Sequence, residues 1–286
     1  MSTVYLNGEF LPADEARVPV SDRGFLFGDG IYEVTPAYGG RLFRWPQHLA
    51  RMERGLAAIG IEFGAGALKD VKKALLARNG LDSAEAAYVY VQVTRGAAPR
   101  THHFPDPPVP PTVYAFANRY ARPPMEEWAR GIGAITIPDQ RWARADIKAI
   151  SLLANVLAAQ AAVAAGAGNT IFVRDGIALE GSHNNLFAVF GGVLATAPKS
   201  NYILHGVTRD FVIELAGEMG MPVEERAIPL PELYEADEVF FTGTTTEVKP
   251  VVAVDGRPVG DGTVGPVARQ LFEGFLAAVE GRRATG

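Results

Sequence analysis

The chain has 286 residues, 48% of them hydrophobic and 21% charged, with a net charge of -5. That length and apolar share suffice for two buried cores, while the mild acidity leaves no basic footprint, so neither nucleic acid nor an anionic membrane is an expected partner. The absence of cysteine excludes disulfides, thiolate catalysis and thiolate metal sites.

Met1-Ser-Thr-Val-Tyr-Leu-Asn-Gly runs directly into a strand pattern without the charged and apolar regions of a signal peptide. No apolar run approaches the roughly 18 residues that span a bilayer, and a soluble cytoplasmic protein is the expectation. Val4-Tyr-Leu and Glu9-Phe-Leu flank Asn7-Gly8 and predict a hairpin; Ile31 to Tyr38 and Arg41-Leu-Phe flank Gly39-Gly40 and predict a second. Pro46 opens a predicted helix whose Leu49, Met52, Leu56 and Ile59 recur at helical spacing. Another helix is predicted from Ala67 to Arg78, stopped by Asn79-Gly80, with Lys69, Lys72 and Lys73 together on a polar face. Ala87 to Thr94 and Thr112 to Ala117 read as strands of the same sheet. The proline-rich stretch from Gly96 to Pro111 between them is a long loop, of a length that usually carries function or is disordered.

Asn118 to Pro124, with Arg122-Pro-Pro, reads as a linker. After it the pattern predicts a strand near Ile132 to Ile137, an alanine-rich helix from an N-cap at Ser151 to about Ala165, and strands at Thr170 to Val173 and Asn185 to Phe190. Asp175-Gly176 is the turn of a further hairpin. A helix from about Thr208 to Met219, strands at Glu238 to Phe241 and Val251 to Val254, and an amphipathic helix near Gly265 to Val279 complete the chain. The class is mixed α and β in two unlike domains: a smaller one over residues 1–119, a linker over 120–126 and a larger one over 127–286.

Lys148 is one of six lysines and the only one leading into a strongly apolar segment. An amine held against apolar surroundings loses the solvation that favours its charged form, and the neutral amine is a nucleophile able to form a Schiff base. The plainer reading is a surface charge flanking a helix, and Lys199 and Lys249 lie in loop-like sequence next to prolines. His205-Gly-Val-Thr-Arg-Asp precedes the predicted 208–219 helix, so Gly206 can let an anion approach Thr208 and the first-turn N–H groups, or the segment is an ordinary capped helix. Thr242-Gly-Thr-Thr-Thr-Glu offers a turn with hydroxyl donors. Arg51, one turn after His48, suits phosphate through its paired donors, or is a solvated residue. Glu180 ends a short apolar strand; against a pyridine nitrogen its carboxylate would keep that nitrogen protonated, and otherwise it is a turn residue. Neighbouring His102 and His103 point apart on an extended chain, and no metal site is expected.

Together these residues resemble the class IV (fold type IV) pyridoxal-phosphate aminotransferases, and within them the enzymes acting on D-amino acids. The likeness runs from about Val4 to Phe275, carried by Asp22-Arg-Gly-Phe-Leu-Phe-Gly-Asp-Gly-Ile-Tyr-Glu-Val, His48-Leu-Ala-Arg51, Thr94-Arg-Gly-Ala-Ala-Pro-Arg-Thr-His-His-Phe-Pro, Arg141-Trp-Ala-Arg-Ala-Asp-Ile-Lys148, Leu179-Glu-Gly-Ser, Gly206-Val-Thr-Arg and Thr244-Thr-Thr-Glu. The resemblance implies pyridoxal 5′-phosphate between the two domains, with Lys148 as covalent anchor and proton carrier and Glu180 on the pyridine nitrogen. It implies Arg51, Thr208, Thr244 and the N–H groups of Val207 and Thr244 on the phosphate, and Leu204 against the ring. It further implies ping-pong transfer between a D-amino acid such as D-alanine and a 2-oxo acid such as 2-oxoglutarate. Tyr32, Arg100 and His102 would grip the substrate carboxylate, the last two donated across the interface of a homodimer. Ser182-His-Asn, Gly243 and His205 depart from the family pattern. Three other readings stand beside this one: a branched-chain L-aminotransferase or (R)-amine transaminase, an aminodeoxychorismate lyase, and a non-catalytic phosphate- or pyridoxal-binding protein.

Overall fold

A computed structural model describes residues 2–281. The chain divides into two compact units, Met1–Ala121 with Ile147–Leu152, and Arg122–Asp146 with Leu153–Gly286.

The first unit is built on an antiparallel sheet. Strands β1 (Thr3–Leu6) and β2 (Glu9–Pro12) form the expected hairpin, turned by Asn7 and Gly8 at φ 49° and 103°. After a short helix α1 (Arg23–Phe27) come β3 (Gly30–Tyr38), β4 (Arg41–Leu42), helices α2 (Trp45–Ala58) and α3 (Leu68–Arg78), β5 (Ala87–Thr94) and β6 (Thr112–Arg119). The sheet order is β2-β1-β6-β5-β3-β4. Val89, Val91 and Val93 of β5 turn to the covered face and are fully buried, and the period-two alternation leaves Tyr88, Tyr90 and Gln92 half-buried on the other. The aliphatic core beneath α2 and α3 collects Ile31, Met52, Leu56, Leu68, Leu75 and Leu76. Each such side chain contributes about 1.5–3 kcal/mol on burial.

The segment Ile147–Leu152, expected within the second domain, belongs to the first unit. The reason is backbone pairing: Tyr32 N donates to Lys148 O at 2.9 Å, Ile150 N donates to Gly30 O at 3.1 Å, and Ile31 and Ala149 form an isolated bridge.

The core face of β3 is not wholly apolar. Glu33 and Thr35 alternate with Ile31 and Ala37 and are fully buried. Arg51 binds Glu33 through Nε at 2.9 Å and Nη2 at 2.6 Å, and His48 Nδ1 lies 2.9 Å from the same carboxylate. Lys72, expected on a polar face, is instead fully buried. It shares the buried stripe of α3 with Leu68, Leu75 and Leu76, donates to Thr35 Oγ1 at 2.5 Å and lies 5.0 Å from the Trp45 ring centroid. Of that trio, Lys69 and Lys73 face solvent.

The second unit is a mixed sheet with helices. Its elements are α4 (Met125–Trp128), β7 (Ile132–Pro138), α5 (Leu153–Ala164), β8 (Asn169–Arg174), β9 (Ile177–Gly181), β10 (Asn185–Phe190), β11 (Val193–Thr196), α6 (Val207–Glu218), β12 (Val223–Glu225), β13 (Ile228–Pro229), α7 (Leu230–Leu233), β14 (Glu238–Gly243), β15 (Glu247–Val254), β16 (Arg257–Pro258) and α8 (Pro266–Val279). The strand order is β12-β11-β10-β14-β15-β7-β8-β9-β13, with β16 on β15. Because β9 also pairs with β10 through Glu180 and Asn185, the six strands from β10 round to β9 close into a ring at that pair. β7-α5-β8 and β11-α6-β12 are crossovers joining parallel strands. Strand β15 starts four residues before the expected Val251, so Lys249 is a strand residue rather than a loop one. Helix α5 starts two residues beyond Ser151. Trp128 stacks on Phe272 at 4.4 Å and Phe211 meets Phe275 at 5.8 Å, docking α4 and α6 on α8. No helix among the described residues is long and apolar enough to cross a membrane.

The buried imidazole makes stability depend on pH. Burial lowers His48 from the usual 6.5 to about 4, against the pull of Glu33. Below pH 6.5 the unfolded chain protonates this side chain while the folded protein does not, so stability present above that pH is lost as it falls toward 4. The loss is of the order of 1.4 kcal/mol per pH unit. Burial alone would raise the Glu33 carboxyl, but Arg51 and His48 outweigh it and hold it well below the carboxylate range, so its own loss comes only in stronger acid. Urea midpoints are expected to drop between about pH 7 and about pH 5, and His48→Gln to flatten that drop.

Candidate active site

In the first unit, the crossover leaving β7 carries Lys148 against β3, where the two backbone bonds fix its main chain. Its Nζ lies 4.1 Å from the ring centroid of Tyr32. Tyr32 points to the opposite face of β3 from Glu33 and stacks on Tyr90 at 5.5 Å. The structure thus brings Lys148 and Tyr32 together, flanked by buried Ile147 and Ala149. Arg51 is buried and oriented by its two bonds to Glu33.

Arg100 and His102 are exposed on the proline-rich loop, and both rest on Phe27 of α1. The Arg100 guanidinium lies 5.0 Å from that ring's centroid and the His102 ring 5.7 Å. What holds this platform is a polar knot that the sequence reading did not single out. Asp22 caps α1 by accepting from Gly24 N at 2.8 Å and takes the Thr94 hydroxyl at 3.0 Å. Asp29 accepts from Arg23 Nε at 2.8 Å and from Arg95 Nε and Nη2 at 2.8 and 3.0 Å. Arg23 then reaches the loop, donating to Thr101 O at 2.7 Å, while Arg95 holds the carbonyls of Ile59 and Gly60. Burial works to raise Asp29, yet the two guanidinium groups lower it overall, so the anchor is ionised.

In the second unit, Glu180 sits at the seam where the sheet closes and is buried. It pairs with Arg141 Nη1, accepts from Asn185 Nδ2 at 2.9 Å, and shares the Leu204 N–H between its oxygens at 3.1 Å. Burial pushes the Glu180 carboxyl up to about 7 against the opposing pull of Arg141 and the Leu204 N–H. Four contacts from three donors, two on each oxygen, thus fix the orientation of the carboxylate. Arg141 is held in turn by Asp139 at 2.9 and 3.0 Å and lies over Phe172 at 4.3 Å.

Asn185 links this acid to the start of α6: the same amide donates to Leu204 O at 2.8 Å, and a Cβ at Gly206 would come within 2.0 Å of its Oδ1. Any residue larger than this glycine would have to displace that buried amide. As N-cap it brings no side-chain acceptor, and Val207 and Thr208 form the buried first turn. The N–H groups and dipole of such a turn favour an anion. Thr244 opens the turn Thr244 to Thr246 between β14 and β15, half-buried. Each unit by itself thus offers groups suited to a phosphorylated pyridine aldehyde: the first a lysine beside an aromatic ring, the second a buried, oriented acid and a helix start without a side-chain cap. Of the participants here, Arg141, Asn185, Asp29 and Arg95 were not foreseen, although Arg141, Asp29 and Arg95 stand inside motifs that carry the resemblance. Among the described residues no group of three or more His, Asp or Glu side chains could hold a metal ion.

The sequence profile described as "Amino-transferase class IV" matches residues 30–254. The chain is 43% identical to the D-alanine aminotransferase of Staphylococcus haemolyticus over 284 residues, covering 99% of both chains. It is 40% identical to the D-alanine aminotransferase of Bacillus licheniformis over 94% of each. Its fold is similar to a branched-chain amino acid aminotransferase from T.th. complexed with N-(5′-phosphopyridoxyl)-L-glutamate, at a TM-score of 0.87 and 32% identity, covering 99% of this chain and 95% of that one.

Arg141→Met would leave Glu180 buried without its cation. Removing one partner of a buried pair costs roughly 3–5 kcal/mol. Urea denaturation is expected to read a loss of that size, and a change within about 1 kcal/mol would mean the pair contributes little to the fold.

Proposed function

Because this chain belongs to the class IV amino-transferase family, we propose that it moves amino groups between D-amino acids, D-alanine among them, and 2-oxo acids such as 2-oxoglutarate, using pyridoxal 5′-phosphate. The observation that carries the reading is Lys148, fixed by main-chain pairing to β3 with its amine 4.1 Å from the centroid of Tyr32. The near-full-length likeness to D-alanine aminotransferases supports the D-amino-acid substrate class.

When bound, pyridoxal phosphate supplies an aldehyde that takes up amines and a ring that withdraws electrons. Lys148 would hold the cofactor through that aldehyde, and its amine would carry the proton between the substrate Cα and the cofactor's C4′ position. Glu180 would accept the N–H of the pyridine ring and keep that proton in place. Arg51, the hydroxyls of Thr208 and Thr244 and the N–H groups of Val207 and Thr244 would hold the phosphate, and Leu204 would pack against the ring. Tyr32, with Arg100 and His102 of the partner subunit in a homodimer, holds the substrate carboxylate. Arg100 grips it through two parallel bonds, and fixing it decides which face of Cα presents its hydrogen to Lys148.

A coupled assay with pyridoxal phosphate, 2-oxoglutarate and a panel of D- and L-amino acids tests this. D-alanine is expected to be consumed, with Lys148→Ala slower by orders of magnitude while still folded. Turnover of L-leucine but not D-alanine would instead favour the branched-chain reading, whose enzymes share the fold. Arg100→Ala is expected to raise KM for D-alanine by about tenfold to a hundredfold while sparing a simple amine, which has no carboxylate to lose. Equal losses on both substrates would mean that Arg100 only props the loop on Phe27.

A further inference from the structure

The first unit encloses more positive than negative charge beside Arg51. Glu33 accepts two bonds from the Arg51 guanidinium, at 2.9 and 2.6 Å, and so neutralises it. His48, on the same carboxylate, is uncharged near neutral pH, burial having lowered it to about 4. The partners of Lys72 are a hydroxyl and a ring: its amine donates to Thr35 Oγ1 at 2.5 Å and lies 5.0 Å from the Trp45 centroid. Neither cancels its charge. The elements around α3 offer no second acid among the described residues. β3 contributes Glu33 and Thr35, α2 contributes His48 and Arg51, β1 contributes Tyr5, and β5 and β6 turn Val89, Val91, Ala115 and Ala117 inward; Asp70 of α3 itself faces solvent. A cation shut inside the core with its one nearby acid already bonded to an arginine is costly, and methionine of similar length would remove that cost.

The geometry points to Lys72 as a positioning residue of the proposed phosphate site: it restores, from behind the pair, the positive charge that Glu33 takes from Arg51, so that a phosphate dianion meets a cationic cluster instead of a neutral one. This inference rests on the reading that Arg51 binds the cofactor phosphate. Burial lowers the Lys72 amine from 10.5 to about 8, with Glu33 raising it and Arg51 lowering it further. The charge is therefore present at neutral pH and lost as the pH rises past about 8. Because its folded value lies below its unfolded one, Lys72 costs stability at neutral pH, and that cost disappears as the pH rises toward 10.5.

The test uses the full chain cleared of cofactor and 4′-deoxypyridoxine 5′-phosphate, which lacks the aldehyde and reports phosphate and ring contacts without attachment to Lys148. Its affinity is measured by titration calorimetry for the unaltered protein and Lys72→Met from about pH 7 to about pH 9.5, with urea denaturation of both. Comparing the two proteins cancels the titration of the ligand and of every other side chain. The expected result is about tenfold weaker binding by Lys72→Met at neutral pH. The difference should vanish at alkaline pH, and the variant should be no less stable than the unaltered protein near pH 7. Equal affinities at neutral pH overturn the inference. So does a difference that persists unchanged at about pH 9.5, which marks a packing role. Thr35→Val provides a second route: without the hydroxyl that accepts from the ammonium, the pH at which affinity declines should move lower, and an unmoved pH counts against the charge role. If the unaltered protein fails to bind the analogue at any pH, the cofactor reading itself falls; binding by both proteins with equal strength leaves that reading standing and removes only the role of Lys72.

Discussion

Two main-chain hydrogen bonds, from Tyr32 N to Lys148 O and from Ile150 N to Gly30 O, are the constraint on which the chemistry of the first unit depends. The segment carrying Lys148 has no regular structure of its own. It lies in the crossover between β7 and α5 and would be a mobile connection if left unpaired. Short β4 pairs only with Ala37 and Tyr38, so the edge of β3 near Gly30 is open, and the crossover takes that place. Backbone pairing fixes the lysine main chain without asking anything of its side chain, which stays available beside Tyr32.

The alternation of β3 then sorts roles by parity. Tyr32 projects from one face, while Glu33 and Thr35 project from the other into a core roofed by α2 and α3. One strand thus places an aromatic phenol next to the lysine and an acid next to Arg51. The second unit shows the same economy at its seam. Glu180 and Asn185 face each other where the sheet closes, and Asn185 couples the acid to the loop and the helix start beyond it.

Buried charge recurs around the candidate residues, and three of its cases are resolved differently. Asp29 is shared by Arg23 and Arg95, Glu180 is balanced by Arg141 with Asp139 behind it, and Glu33 pairs with Arg51 while Lys72 adds a further cation. Such arrangements are expensive in a low-dielectric interior and tolerable only when hydrogen bonds complete them. The first anchors the loop of Arg100 and His102, the second orients an acid, and the third leaves an uncompensated positive charge beside an arginine suited to phosphate.

Long periodic elements were readable directly. Helix α2 was visible in Leu49, Met52, Leu56 and Ile59, and the Asn7-Gly8 and Asp175-Gly176 turns announced their hairpins, because these depend on neighbours within a few residues. Strands β11, β12, β13 and β16, each of four residues or fewer, were not, since their identity comes from partners distant in the chain. Candidate residues were legible as types in motifs; their partners were not. Lys72 was placed on the wrong face although Leu68, Leu75 and Leu76 share its stripe, because a charged residue was weighed by polarity and not by spacing. The sequence by itself determined the mixed class, most element positions and the residue types from which a site can be proposed. Only the tertiary structure decided which of them are buried, which acid meets which arginine, and that the lysine segment joins the first unit. Those outcomes depend on long-range pairing and desolvation, and neither leaves a local mark in the chain.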